Sequence, residues 1–249
     1  MTLLLTKQGL LTRFQNLKRG NKMFGLKNSV LGRTFKTIET TGAYGGGRVS
    51  APTGMASGLV TGTRVATNIG WRTVEAIAPG DMALTFDGGM QTVVSVERSV
   101  LWSSPRNCPE HLWPLEVPAG ALGNQREMYL LPEQNVMVES DAAEECFGDP
   151  FALIPAAALT GFRGISRVKP YEEIVVYTLH FEQEQIVFAC SGALFHCPAA
   201  GQDCLLQADT TKATYEALPM KEANLLVDCM AAEIEMTAAV DIAVMLDAA

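Results

Sequence analysis

Between Val60 and Ala189 the apolar and polar positions come in short runs, cut by Gly, Pro, Asn and Asp. That rhythm predicts strands joined by sharp turns. Strands are expected over 63–67, 73–77, 82–86, 91–96, 113–117, 128–131, 136–139, 151–154, 174–181 and 185–189. The turns fall at Asn68-Ile69-Gly70, Pro79-Gly80-Asp81 and Asp87-Gly88-Gly89, where Gly and Asp supply positive φ or a tight reversal. The pattern changes after Leu218-Pro219. From Met220 to Met236 the spacing of Ala223, Leu226, Val227, Met230 and Ile234 is helical, and residues 238–249 continue it as a frayed end. At the other end, Leu3, Leu4, Leu10, Leu11, Phe14 and Leu17 recur near helical spacing with Lys7, Arg13 and Lys18 between them. A Gly/Ser/Pro-rich stretch, residues 40–57, separates this segment from the strands.

Composition narrows the class. With 48% hydrophobic and 18% charged residues over 249 positions, the chain can bury a sizeable core and is no disordered polymer. It has no apolar run long enough to span a bilayer, and Lys7 interrupts Leu3-Leu4-Leu5 too early for a secretory signal, so a soluble cytoplasmic protein is expected. The six cysteines form no CxxC pair and read as reduced, mostly buried thiols.

Charge is uneven. Residues 1–57 carry nine basic residues against Glu39 alone, while the remainder nets −16. A basic amphipathic arm of this kind docks on the chain's own acidic body, stays solvated, or meets an anionic surface through residues 1–40. These alternatives remain open, and an unidentified protein partner is expected.

The stretch Gly58–Val96 resembles the opening block of the Hint module, the β-fold shared by hedgehog autoprocessing domains and inteins, and most of all the short bacterial Hint-domain proteins. The resemblance rests on Gly62-Thr63, on Val74-Glu75-x-Ile77-x-Pro79-Gly80-Asp81, and on Asp87-Gly88-Gly89. Later blocks follow in order at 117–123, 131–138, 154–159 and 179–189. It covers roughly residues 58–192. It implies a mainly β Hint fold spanning 58–199, preceded by a basic arm (1–57) and followed by a helical extension (200–249).

The resemblance also implies chemistry: a Cys or Ser at the first position attacks the preceding carbonyl, turning a peptide into an ester or thioester. That position is Gly58, which has no side chain. Ser57, one register away, and Thr61 are the alternative nucleophiles. The family's His, which hydrogen-bonds the scissile amide and protonates the leaving nitrogen, is matched by Gln134, an amide that exchanges no proton near neutral pH. A third family position, in the last strand, is matched by Glu184. The expectation is therefore a Hint fold without self-cleavage, acting as a binding or scaffold domain. Residual processing at residues 57–58 and surface tethering through the arm are its alternatives.

No cofactor and no small-molecule substrate are expected. Cys190, His196, Cys197 and Cys204 lie close in sequence, but their spacing matches no familiar zinc motif, and buried thiols are preferred. His180 reads as a structural His within a strand, and Glu139, Asp141, Glu144, Glu145 and Asp149 as a solvated acidic loop around Cys146. Trp71, Trp102 and Trp113 are expected in or beside the core.

Overall fold

The computed structural model describes residues 57–201 and 215–247, with side chains through Glu235. The expected basic arm lies outside the described residues apart from Ser57, as does Cys204. Among the described residues, fourteen short strands make up the body: β1 (Leu59–Val60), β2 (Arg64–Thr67), β3 (Gly70–Thr73), β4 (Met82–Thr85), β5 (Gly89–Thr92), β6 (Ser95–Val100), β7 (Leu115–Val117), β8 (Met128–Leu130), β9 (Asn135–Glu139), β10 (Phe151–Pro155), β11 (Ser166–Arg167), β12 (Val175–His180), β13 (Gln185–Ala189) and β14 (Ala193–Cys197). They pair antiparallel in two sheets. One runs β11-β7-β8-β1-β12-β6, and the other runs β10-β9-β14-β13-β2-β4-β5 with β3 on β2. The fold is mainly β, as the alternation predicts.

Alternate residues of the strands face a shared core. In β14, Ala193, Phe195 and Cys197 are buried while Leu194 and His196 are half-exposed. Leu115, Ile154, Leu179, Phe181 and Phe195 are among the largest fully buried side chains. A smaller cluster gathers Val60, Leu101, Leu131 and Val176 around the paired inner strands β1 and β12 of the first sheet, with Trp102 and Trp113 packed against it.

Three local expectations are corrected. Residues 73–77 are not a strand: β3 ends at Thr73, and Val74–Ala76 form a 3-10 turn. The Val74 amide donates to Thr63 O and the Ile77 amide to Val74 O, so Val74 and Ile77, three apart, both reach the core. The expected strand 91–96 is divided. The Val93 amide donates to Asp81 O in one sheet, and the Val94 amide to His180 O in the other. The chain changes sheets between them, and β-propensity carries no signal for that. Finally, the acidic loop contains a helix, Asp141–Phe147. Ser140 caps it by accepting from the Ala143 amide, Asp141 and Glu144 sit in its first turn, and Gly148 closes it at φ 80. Ala142 and Ala143 are buried while the acids stay exposed.

The C-terminal helix runs Met220–Asp247. Just before it, the Leu218 amide donates to Leu153 O, which ties the chain to the edge of the second sheet. Ala223, Leu226, Cys229 and Met230 join the same core as the strands. Ile234, expected on that face, is 38% exposed, because the buried positions of the helix stop at Ala232.

Candidate functional site

The two sheets meet around the start of the described chain. β1 is wedged between β12 and β8, with Leu59 opposite Tyr177 and Leu130, and Val60 opposite Val176. That pairing sets Gly58 against the backbone of β12. Gly58 is buried at φ +122, a conformation open essentially to glycine alone. A Cβ built there would stand 2.5 Å from Val176 Cγ1, 3.2 Å from Tyr177 O and 3.3 Å from Thr178 Oγ1. The position therefore lacks a side chain and leaves no room for one.

Gln134 reaches the same point from the turn joining β8 to β9. That turn is fixed by the Gln134 amide donating to Leu131 O and by the Ala156 amide donating to Gln134 O. The side chain is 2% exposed. Its Oε1 accepts from the Gly58 amide at 2.9 Å, and its Nε2 donates to Asn135 O at 3.0 Å and His196 O at 2.9 Å. The carbonyl end must face Gly58, since reversing the amide would set a donor against a donor and leave two carbonyls unserved. Gln134 thus holds the nitrogen of the Ser57–Gly58 peptide and has no proton to deliver to it.

Glu184 does not touch this peptide. It lies just before β13, where Oε2 meets His196 Nε2 at 3.0 Å and Oε1 accepts from the Tyr215 amide at 3.0 Å. His196 links the two groups, with its ring toward Glu184 and its carbonyl toward Gln134. Tyr215 extends the chain of contacts by donating to Asp87 Oδ2 at 2.7 Å. Burial, and then the Asp87 carboxylate, push the Tyr215 phenol well above its ordinary range. Sequence reasoning missed His196, Tyr215 and Asp87 as partners, since their contacts span long sequence separations.

The two alternative hydroxyls sit differently. Ser57 is exposed, with Oγ 3.5 Å from Gln134 Oε1, the oxygen that already serves the Gly58 amide. The Thr61 hydroxyl donates to Val175 O at 3.1 Å, beyond β1 from Gly58. Thr61 instead lines a shallow cavity of about 170 Å³ with Thr63, Glu127, Tyr129 and Cys190. That volume is below the few hundred Å³ usual for a small-molecule site.

Of the Cys/His set, the described members Cys190, His196 and Cys197 are not brought together. His196 and Cys197 are neighbours on β14 and point to opposite faces. Cys197 is fully buried, and its thiol is pushed up to about 12 by desolvation. Among the described residues no group of three or more His, Cys, Asp or Glu could hold a metal. His180 Nε2 is 3.7 Å from Glu97 Oε2 across the β12–β6 pair. Trp71, expected near the core, is 38% exposed on the hairpin β2–β3. No helix among the described residues is long and apolar enough to cross a membrane.

A family model described as the Hint domain matches residues 57–194. Among solved structures, a bacterial intein-like domain from Clostridium thermocellum is 14% identical, with a TM-score of 0.42, covering 57% of this chain and 99% of that one. A splice-inactive variant of the AceL NrdHF class 3 split intein is 12% identical, with a TM-score of 0.38, covering 57% and 98%. A variant of the MchDnaB-1 intein is 15% identical, with a TM-score of 0.36, covering 57% and 99%. No curated protein matches.

Proposed function

We propose that this chain, which belongs to the Hint domain family, keeps the family's module as a binding or scaffold domain and does not cut its own backbone. The observation that carries the proposal is the closed environment of Gly58: φ +122, with Val176 Cγ1 occupying the place of a Cβ. An acyl shift needs a side-chain nucleophile here and a proton donor at the departing nitrogen. The first is missing, and the second is replaced by an amide oxygen that accepts from that nitrogen. General acid–base help alone is typically worth about 10²–10⁴-fold, and without a nucleophile the covalent route has no first step.

The binding role is supported by an apolar row on the second sheet. Trp71 lies opposite Ala66, and Leu84 opposite Met90. The β2–β4 register, Thr67 opposite Ala83, makes Ala66 and Leu84 neighbours. Trp71 is 38% and Met90 40% exposed, and Ile69 at the hairpin tip is 73% exposed. Exposed apolar side chains gathered on one face mark surfaces that meet other proteins.

Intact mass of the purified full-length chain tests the proposal, with a single uncut species expected. Release of the segment before Gly58, with a free amine on Gly58, overturns it. Ser57 supports a competing reading, because its hydroxyl stands 3.5 Å from Gln134 Oε1. In that reading the cut falls before Ser57, and Ser57→Ala abolishes it.

A further inference from the structure

Beside the β1–β2 turn lies the shallow cavity of about 170 Å³. That turn forms one wall, the start of β8 a second, and Cys190, between β13 and β14, a third. Val60 and Met128, both buried, give it apolar surface. Thr63 lines it as well and is only 5% exposed. Its hydroxyl makes no hydrogen bond among the described residues, yet it is not sealed in, so it opens on the cavity. A buried hydroxyl without a partner is costly, and a ligand that pairs with it removes the penalty.

The rim is acidic. Glu127 is exposed, and its Oε1 accepts from the Tyr129 phenol at 3.3 Å. Glu116 stands opposite Tyr129 in the β7–β8 pair, and Glu75 Oε2 accepts from the Gly62 amide at 3.0 Å. Burial, and then the carboxylates of Glu116 and Glu127, push the Tyr129 phenol up, the mark of a negative potential around its ring. No described lining residue is basic. Arg64, whose charge reaches the Cys190 thiol, is held by Trp71 O at 3.1 Å.

These features select the occupant. An anion is repelled, and no described group of three or more His, Cys, Asp or Glu converges to hold a metal. An apolar group would leave Thr63 unpaired. A water's share of liquid volume is about 30 Å³, so the space takes a handful of heavy atoms. A lysine side chain brings four carbons and an ammonium nitrogen. Its stem suits Val60, Met128 and the ring of Tyr129, and its charge suits the rim.

We infer that this cavity binds the side chain of a lysine presented by a partner protein, its ammonium donating to the Thr63 hydroxyl and the Glu127 carboxylate. The inference rests on the reading of the module as a binding domain and names the chemistry its partner presents.

Titration of the full-length chain with Nα-acetyl-lysine N-methylamide, followed by amide NMR shifts, tests this. Saturable shifts are expected at Thr61, Gly62, Thr63, Met128 and Tyr129, weakened by added salt. The norleucine analogue, which keeps the carbon chain without the charge, produces none. Thr63→Val weakens binding about tenfold, while its urea midpoint stays at or above the parent's because no internal hydrogen bond is lost. Glu127→Gln, at an exposed position, weakens binding about threefold, and Glu133→Gln leaves it unchanged. Bound probe also slows alkylation of Cys190 by iodoacetamide. Equal binding of the norleucine analogue overturns the inference, as does unchanged affinity in both Thr63→Val and Glu127→Gln. Replacing Lys7, Lys18, Lys22, Lys27 and Lys36 together with Gln leaves the affinity as it was. A gain there makes the chain's own arm the occupant and equally overturns it. Intact mass of the same samples separates the two readings: a cut chain counts against the scaffold proposal, and absent probe binding by an uncut chain counts against this one.

Discussion

Placing a single methyl group at position 58 separates a site that merely lacks a nucleophile from one that excludes it. In Gly58→Ala the backbone must keep φ +122 or move β1. Holding an alanine in that region costs about 1–3 kcal/mol. The new Cβ would also lie 2.5 Å from Val176 Cγ1, which is fully buried and has nowhere to retreat. Overpacking of this kind costs about 1–3 kcal/mol more. The expected loss is about 2–6 kcal/mol, read as a shift in urea midpoint at unchanged slope. For a domain of this size it lowers the melting temperature by at least about 4 °C. Val176→Ala removes the methyl that collides. The double variant should therefore be more stable than the sum of the two single losses predicts, by about the 1–3 kcal/mol assigned to the overlap. A Gly58→Ala protein within about 0.5 kcal/mol of the parent, with no coupling to Val176, would refute the reasoning. The fold would then tolerate a side chain where the family's nucleophile belongs, and its loss would be a matter of sequence alone.

Two further changes probe the same region. Gln134→Glu keeps an acceptor for the Gly58 amide but sets the second carboxylate oxygen against Asn135 O and His196 O, so burial and lone-pair repulsion raise its folded pKa above the unfolded value. The variant should match the parent most closely below about pH 4.3 and lose stability as pH rises, by about 1.4 kcal/mol for each pH unit separating the folded from the unfolded value. Urea midpoints at pH 4.5 and 7.5 measure this, and equal differences at both contradict it. At Cys197, pushed up to about 12, the neutral thiol is favoured in the folded state. Its contribution to stability is complete below the unfolded thiol's value near 8.5 and fades as pH climbs toward 12. Labelling with a thiol-specific disulfide reagent at pH 8, mapped by peptide, should modify half-buried Cys190 and spare Cys197 until urea is added. Rapid labelling of folded Cys197 speaks against its burial.

Much of the body was legible in the chain because period-two alternation and turn residues act locally. Asp87-Gly88-Gly89 does close the β4–β5 hairpin, and Gly89 takes the positive φ the turn requires. The elements that escaped are those whose state depends on distant partners. β1 is two residues long and exists because β12 and β8 flank it. β14, concealed in a run of Cys and His, is a strand through its pairing with β13 and β9. Val74–Ala76 carries β-branched and acidic residues typical of a strand or turn, yet the need to bury Val74 and Ile77 together tightens it into a 3-10 turn.

For the candidate site the division is similar. Sequence alone determined which groups are present: no side chain at residue 58, an amide at residue 134, and a family-matching order of blocks around them. Those are covalent facts and need no fold. Tertiary structure decided what the groups do to one another. Gln134 meets the Gly58 amide across 76 positions of chain, Glu184 turns away to His196 and Tyr215, and Val176 fills the space a nucleophile would need. Hydrogen bonds and steric exclusion act over a few ångströms in space whatever the separation along the chain, so these relations exist once the sheets have set their register.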